Sequence, residues 1–87
     1  KYLSDNLSYS LILRLRTLYI INSLLKKQIW GKRDFLNLII NITGSLISYD
    51  GYLRVKNNKK IKKELKIEEA EKLTKYIIEK IKKLKNG

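Results

Sequence analysis

Hydrophobic residues recur at helical spacing over most of the chain. In the segment from about Asn6 to Lys27, leucines fall three, four and seven residues apart, and neighbouring isoleucines widen the apolar stripe. Because apolar residues cover most sides of this segment, we predict a long helix buried at the centre of a bundle. A second apolar segment covers about Lys32 to Thr43, with Asp34 in its first turn and Gly44 after its end, and it predicts a second helix.

The last segment has the most regular periodicity. Its apolar residues follow one another at intervals of three or four, at Ile67, Ala70, Leu73, Ile77, Ile81 and Leu84. Three glutamates between residues 68 and 71 and several lysines after residue 79 complement the dipole of a helix at both ends. We therefore predict a final helix over about Lys66–Gly87, and we interpret the glutamates as helix-start chemistry and not as a catalytic cluster.

Residues 47–56 (ISYDGYLRVK) allow two interpretations. The pair Asp50-Gly51 between two tyrosines is typical of a β-hairpin, whereas Leu46, Tyr49 and Leu53 fall at helical spacing. A hairpin would have no other strand to pair with, and a glycine within a helix costs only about 1 kcal/mol relative to alanine. Both interpretations therefore stay open from the sequence.

The resulting prediction is an all-α fold, a small bundle of about four helices. A polar, basic loop, KNNKKIKKELK at residues 56–66, precedes the last helix. A chain of 87 residues is just long enough for one hydrophobic core, so residues 1–87 form a single domain.

Two charged residues in the first helix need an explanation. Arg14 and Arg16 are two positions apart, so they point to nearly opposite faces of the helix. We expect at least one of them to be half-buried and paired in a structural ion pair, with Asp34 or Asp50 as the partner. Trp30, which precedes Gly31, is expected to anchor the first two helices against each other, and stacking on a base is the alternative.

The composition excludes several classes of function. The chain has no Cys and no His, which removes disulfides, thiolate metal sites, cysteine nucleophiles and imidazole acid–base chemistry. We find no catalytic residues, no metal site and no cofactor motif. No apolar segment reaches the length of about 20 residues that spans a bilayer, and there is no signal-peptide pattern. We therefore expect a cytoplasmic protein without membrane contact.

The charge is strongly one-sided. The formal net charge is +12, which suggests an anionic partner, most commonly a nucleic acid. A lysine-rich, isoleucine-rich and asparagine-rich composition also arises without any binding role, where lysines only solvate the surface. Charge alone leaves these two explanations open.

Three segments in order carry a resemblance to a known family. They are YSLILRLRTLYIINSLL at residues 9–25, YLRVK at residues 52–56 and IEEAEKL at residues 67–73. Together they resemble the helical domain that follows the catalytic domain in archaeal predicted nucleotidyltransferases of the DNA polymerase β superfamily, a bundle akin to the HEPN type. Lys56 stands where that family often has arginine. The histidine of the HEPN ribonuclease motif and the Asp-x-Asp of the nucleotidyltransferase loop are both missing.

The resemblance implies an accessory domain that is not an enzyme by itself. It implies packing against, or holding substrate for, a nucleotidyltransferase catalytic domain, either upstream in the same polypeptide or on a partner chain. We therefore expect residues 1–87 to be the C-terminal part of a longer protein. If the domain contacts RNA or a nucleotide, the expected phosphate ligands are Arg54, Lys56, Lys59 and Lys60, and Tyr52 either stacks on a base or belongs to the core.

Two other functions remain open. The net charge is equally compatible with a stand-alone, basic nucleic-acid-binding module, although no recognition helix or aromatic sheet motif supports it. The apolar surfaces of the first and last helices are compatible with a structural bundle that forms a homodimer.

Overall fold

The computed structural model describes residues 1–86 and confirms an all-α bundle. The elements in chain order are β1 (Tyr2–Ser4), α1 (Asp5–Leu25), α2 (Lys32–Thr43), α3 (Ile47–Lys56), β2 (Lys63–Lys66) and α4 (Ile67–Asn86). The four helices hold 73% of these residues. No helix within them is long and apolar enough to cross a membrane. The predicted stop of the last helix at Gly87 lies outside the described residues.

Local capping interactions mark the start of α1 and the end of α2. The Ser4 hydroxyl accepts a hydrogen bond from the Asn6 backbone N–H at 3.1 Å and so caps the start of α1. Gly44 ends α2 in the left-handed region at φ 84°, and its N–H donates to the Ile40 carbonyl at 2.7 Å. The predicted end of the second helix at Gly44 is therefore confirmed.

Residues 47–56 form a helix, and Gly51 allows that helix to approach α1. A Cβ atom at residue 51 would lie 2.8 Å from Asp5 Oδ1 and 2.9 Å from Ser8 Cβ, which is closer than such atoms can sit. Gly51 has a buried backbone within α3 and lies in no turn. The glycine is therefore a packing residue between two helices, which resolves the choice between hairpin and helix.

A two-stranded antiparallel sheet closes one end of the bundle. Leu3 of β1 lies opposite Leu65 of β2, and the register shifts between Leu3 and Ser4. The prediction of one loop over residues 56–66 is wrong in part, because the structure shows loop only over residues 57–62. The strands are too short to produce a recognisable alternation of polar and apolar residues, and Leu65 alone is fully buried in β2.

The core draws on every helix and on the second strand. Its fully buried apolar side chains are Ile12, Leu15, Ile39, Leu65 and Leu73.

A series of aromatic contacts extends this core towards one side of the molecule. Tyr52 stacks on Tyr9 with ring centroids 5.4 Å apart and on Tyr49 at 5.7 Å. Phe35 of α2 lies 6.5 Å from Tyr49, edge-on. Aromatic rings therefore link α1, α2 and α3.

A buried ion pair joins Asp5 of α1 to Arg54 of α3. The buried Asp5 carboxylate accepts hydrogen bonds from Arg54 Nε at 2.7 Å and Nη2 at 2.9 Å, and from the Lys62 N–H at 2.8 Å. Arg54 Nη2 also donates to Glu64 at 3.1 Å. The hydrogen bonds from Arg54 lower the pKa of Asp5 below its ordinary value, although burial alone would raise it. This cluster ties the start of α1 to α3 and β2.

The prediction of a structural ion pair for Arg14 or Arg16 is wrong. Within residues 1–86 neither arginine has a carboxylate within salt-bridge distance, and both are exposed. Arg14 instead donates to the Ser10 carbonyl and hydroxyl one turn earlier. The proposed partners, Asp34 and Asp50, are also exposed. Water solvates these charges, so they need no buried partner.

Candidate functional site

A cleft lined by aromatic and basic side chains lies beside the second half of α1. Its cavity volume is about 260 Å³, and α1, the start of α2 and α3 enclose it. Its lining residues are Arg16, Tyr19, Ile20, Trp30, Gly31, Lys32, Phe35, Tyr49, Tyr52, Leu53 and Lys56. We call this cavity the aromatic cleft. Pockets for drug-sized ligands span about 300–1,000 Å³, so the aromatic cleft has room for one small planar group.

Helical spacing explains why these residues face one cavity. On α1, Arg16 is followed by Tyr19 and Ile20, three and four positions later, which lie on the same face of the helix. On α3, Tyr49, Tyr52 and Lys56 follow the same spacing. The start of α2 then adds the side chains of Lys32 and Phe35, again three positions apart.

The aromatic side chains of the cleft differ in their exposure. Tyr52 is only 5% exposed and is stacked between Tyr9 and Tyr49, so it forms part of the core. Trp30, in contrast, is 42% exposed, and it precedes α2 in the connection between the first two helices. Of the two roles predicted for Trp30, an anchor between these helices was favoured over stacking on a base. Its exposed ring instead makes it the aromatic residue of the cleft best placed to stack on a ligand.

Three cations line the same cleft. The Arg16 guanidinium carbon lies 5.9 Å from the Trp30 ring centroid, and Lys56 Nζ lies 5.8 Å from the Tyr52 ring centroid. Lys32 is the third cation. None of the three forms a salt bridge within residues 1–86, and no lining residue of the described chain is acidic. The lining of the cleft therefore has a positive charge that is not neutralised by a salt bridge within residues 1–86.

The structure places two of the five predicted ligand residues in this cleft. They are Tyr52 and Lys56. Arg54 points elsewhere, since Asp5 and Glu64 neutralise its guanidinium, and the hydrogen bond to Asp5 raises its pKa above the ordinary value. Lys59 and Lys60 lie exposed in the loop after α3 and line none of the cleft. We therefore leave Arg54, Lys59 and Lys60 out of the site.

Several further charged and aromatic residues of the cleft were not predicted as ligands from the sequence. Arg16 was expected in an ion pair, and Lys32, Tyr19 and Tyr49 had no assigned binding role. One signal was available: tyrosine, tyrosine and lysine at positions 49, 52 and 56 form a stripe along one face of a helix. That stripe shows a shared face, but it does not reveal which other helix lies opposite.

The described residues contain no set of side chains for a metal ion. No three acidic side chains within residues 1–86 lie together in a way that could hold one. The groups that the aromatic cleft offers to a ligand are therefore cations and aromatic rings.

The comparisons with known proteins found no relative. No protein-family model, no curated protein and no solved structure matched this chain. The function is therefore argued from the geometry of the aromatic cleft and from the resemblance described above.

Proposed function

We propose that this chain is a non-catalytic helical domain that holds a nucleotide in the aromatic cleft on behalf of a nucleotidyltransferase catalytic domain, in the same polypeptide or on a partner chain. The observation that supports this proposal is the combination of the exposed Trp30 ring with Arg16, Lys32 and Lys56 in one cavity. A nucleotide offers the matching groups, because its base stacks on aromatic rings and its phosphates bind cations.

The chemistry of the lining favours a nucleotide over other anions. A simple anion needs cations but gains little from an aromatic ring, and a neutral apolar ligand gains little from three unpaired cations. The cavity volume of about 260 Å³ limits the enclosed part of the ligand to one base or a comparable planar group. Phosphates would lie at the basic rim, where Lys32 and Lys56 are exposed.

The lining provides binding groups without the groups of a catalyst. Phosphoryl transfer relies on carboxylates that hold magnesium ions and on a residue that orients the nucleophile. The aromatic cleft has no carboxylate among its lining residues. The chemistry of the cleft supports an accessory role, and the resemblance of residues 9–25, 52–56 and 67–73 supports a nucleotidyltransferase as the partner.

Trp30 allows a direct test, because it is the single tryptophan of the chain. Addition of ATP or UTP without metal should quench its fluorescence, as a base stacks on the indole ring. Trp30→Ala should weaken binding of a fluorescent nucleotide analogue, measured by polarisation, by about fivefold to 100-fold, since stacking on one ring contributes about 1–3 kcal/mol.

Two matched lysine variants test whether nucleotide binding depends on the cleft or only on the net positive charge of the protein. Lys56→Gln should weaken nucleotide binding by about tenfold, because it removes a charged hydrogen-bond donor of about 1.5 kcal/mol or more. Lys63→Gln removes the same charge from an exposed position outside the cleft and should have little effect. Absence of quenching by every nucleotide, or equal effects of the two lysine variants, would overturn the proposal.

A separate apolar groove favours a second candidate function, a dimerising bundle. This groove of about 570 Å³ lies along α4, where Leu3, Ile67, Ala70 and Ile78 contribute to its lining. Burial of this apolar surface against a second copy would stabilise a dimer. Sedimentation of the protein should then show a concentration-dependent dimer that Ile78→Glu abolishes and Ile61→Glu, at an exposed loop position, preserves. A monomer at all concentrations would exclude this candidate.

A further inference from the structure

A second basic cavity lies on another face of the second half of α1. Leu18, Asn22, Lys26, Lys80, Lys83 and Leu84 line it, with a volume of about 220 Å³. We call it the lysine groove. None of its lining residues belongs to the aromatic cleft, and α4 forms its other side.

The fold brings three lysines together in this groove. Lys26 is the cap residue that follows α1, and Lys80 and Lys83 are three positions apart on α4, so they share one face of that helix. Lys80 Nζ lies 5.5 Å from the Tyr76 ring centroid, within the range of a cation–π contact.

No carboxylate of residues 1–86 lines the groove beside these lysines. None of the three forms a salt bridge within residues 1–86, and the described lining residues include no carboxylate. Like charges that face one cavity repel each other, so a bound anion would relieve that repulsion. Asn22 adds an amide that can donate a hydrogen bond to an anionic oxygen.

The two basic cavities lie on different faces of the same helix segment. Arg16, Tyr19 and Ile20 of α1 face the aromatic cleft, whereas Leu18, Asn22 and Lys26 face the lysine groove. An α-helix with its side chains is about 10–12 Å wide, so a ligand that occupies both cavities has to pass around α1. A strand with several phosphates has the length and the charges for this path.

We propose that the ligand is a single-stranded nucleic acid, with one nucleotide in the aromatic cleft and neighbouring phosphates of the same strand in the lysine groove. This inference rests on the proposed function for its first part, and the lysine groove adds the preference for a strand over a free nucleotide. The strand passes around the end of α1, where Lys26, Lys27, Lys32 and Arg33 are all exposed. Phosphates provide the affinity along this path, and the cleft provides the stacking site.

The test compares a strand with a mononucleotide. A labelled RNA of about ten nucleotides, within the usual range of about 4–16 nucleotides for a single-strand-binding domain, is titrated in parallel with a labelled mononucleotide. The triple variant Lys26→Gln, Lys80→Gln and Lys83→Gln should bind the RNA about tenfold or more weakly at about 0.1 M salt. Its slope of log affinity against log salt should be smaller by about 2, at about 0.7 for each lost phosphate contact.

Two controls make the result specific. The triple variant Lys63→Gln, Lys66→Gln and Lys72→Gln lowers the net charge equally at exposed positions outside both cavities, and its RNA affinity should change less than threefold or so. Because Lys80 is half-buried, the double variant Lys26→Gln and Lys83→Gln provides a version with little risk to folding. Circular dichroism confirms that every variant is folded.

The outcomes for the two proposals are distinguishable. An equal loss of RNA affinity in the two triple variants would overturn the lysine groove as a binding site for a nucleic-acid strand. An unchanged RNA affinity in the groove variants would overturn it as well. Weaker RNA binding together with unchanged mononucleotide binding supports it. If RNA binds through the groove but no nucleotide quenches Trp30, the proposed function of the cleft fails and the groove remains. Displacement of RNA by inorganic polyphosphate at equal affinity would show a general polyanion site and would overturn the inference.

Discussion

The backbone of Gly51 lies against the side chain of Asp5, so closely that a Cβ atom at residue 51 would come within 2.8 Å of Asp5 Oδ1. The two residues belong to α3 and α1, and the adjacent ion pair between Asp5 and Arg54 joins the same two helices. The close approach places Tyr52, the next residue, against Tyr9 of α1. The contact at Gly51 therefore sets the position of α3, which presents Tyr49, Tyr52 and Lys56 to the aromatic cleft.

Gly51→Ala should destabilise the protein although alanine is the better helix former. Alanine gains about 1 kcal/mol of helix propensity over glycine, but overpacking a closed contact costs about 1–3 kcal/mol. We expect a free energy of unfolding lower by about 1–2 kcal/mol, measured by urea denaturation, because Ser8 Cβ cannot move without its helix. Asp50→Ala, at the exposed neighbouring position, is the control and should change the stability by less than about 0.5 kcal/mol. A stabilised Gly51→Ala variant would contradict the packing role.

Arg54→Leu should destabilise the protein strongly at neutral pH. The substitution leaves the Asp5 carboxylate buried without its cation, and breaking a buried ion pair in this way costs about 3–5 kcal/mol. Arg14→Leu removes an exposed arginine that is bonded only within its own helix, and it should cost less than about 0.5 kcal/mol. Equal losses in the two variants would show that the buried pair contributes no more than a surface arginine.

Because of the same ion pair, the free energy of unfolding should decrease at acidic pH. The pKa of Asp5 in the folded protein lies below its ordinary value of 3.8, chiefly because Arg54 donates hydrogen bonds to the carboxylate. The stabilisation is therefore complete above pH 3.8 and is lost as the pH falls through the lower folded pKa. Urea denaturation in a series of acidic buffers should show this decline in the wild type and a smaller one in Asp5→Asn. Parallel pH profiles would rule out a contribution from Asp5.

Two serine substitutions near the α2–α3 junction should have opposite effects. The Ser48 hydroxyl is fully buried and has no hydrogen-bond partner within residues 1–86, so Ser48→Ala should stabilise the protein by about 1 kcal/mol. The Ser45 hydroxyl donates to the buried Glu69 carboxylate at 2.8 Å, so Ser45→Ala should destabilise it by about 1–2 kcal/mol. Thermal unfolding of both variants checks the signs. Destabilisation by Ser48→Ala would mean that its hydroxyl does have a hydrogen-bond partner.

The loop after α3 should be dispensable for binding a mononucleotide. Lys59 and Lys60 lie outside the aromatic cleft, so a double substitution to glutamate should change nucleotide affinity by less than about threefold at physiological salt, where distant charges are screened. Lys56→Glu, at the end of α3 and inside the cleft, should weaken the same binding much more. A large loss of nucleotide affinity in the loop variant would show that Lys59 and Lys60 bind the phosphates.

Local patterns predicted α1, α2 and α4, whereas residues 47–56 stayed open between a helix and a hairpin. The boundaries of α2 and the course of α4 follow from residues within a few positions of one another: apolar spacing, glutamates at one end, lysines at the other and Gly44 as a stop. Helical hydrogen bonds and side-chain spacing involve only such neighbours. The all-α class and the bundle could therefore be predicted from the chain alone.

The strands and the ion pair could not be predicted in this way. Asp5 and Arg54 are 49 positions apart, and each looks like an ordinary surface charge until the fold buries them together. The strands β1 and β2 have three and four residues, too few for a periodic signal, and each exists only because the other lies beside it. The phosphate-binding residues predicted from charge therefore included Arg54, whose charge Asp5 and Glu64 neutralise in the folded chain.

The amino-acid sequence was sufficient for the helical class, the single core and the excess positive charge, because these depend on composition and on neighbouring residues. Only the folded chain showed that Gly51 is a packing glycine, that Trp30 remains exposed, and that Arg16 and Lys56 from two helices face one cleft. The physical reason is that a binding site requires groups from distant segments at fixed distances. Those distances are set by how helices pack against one another and not by spacing along the chain.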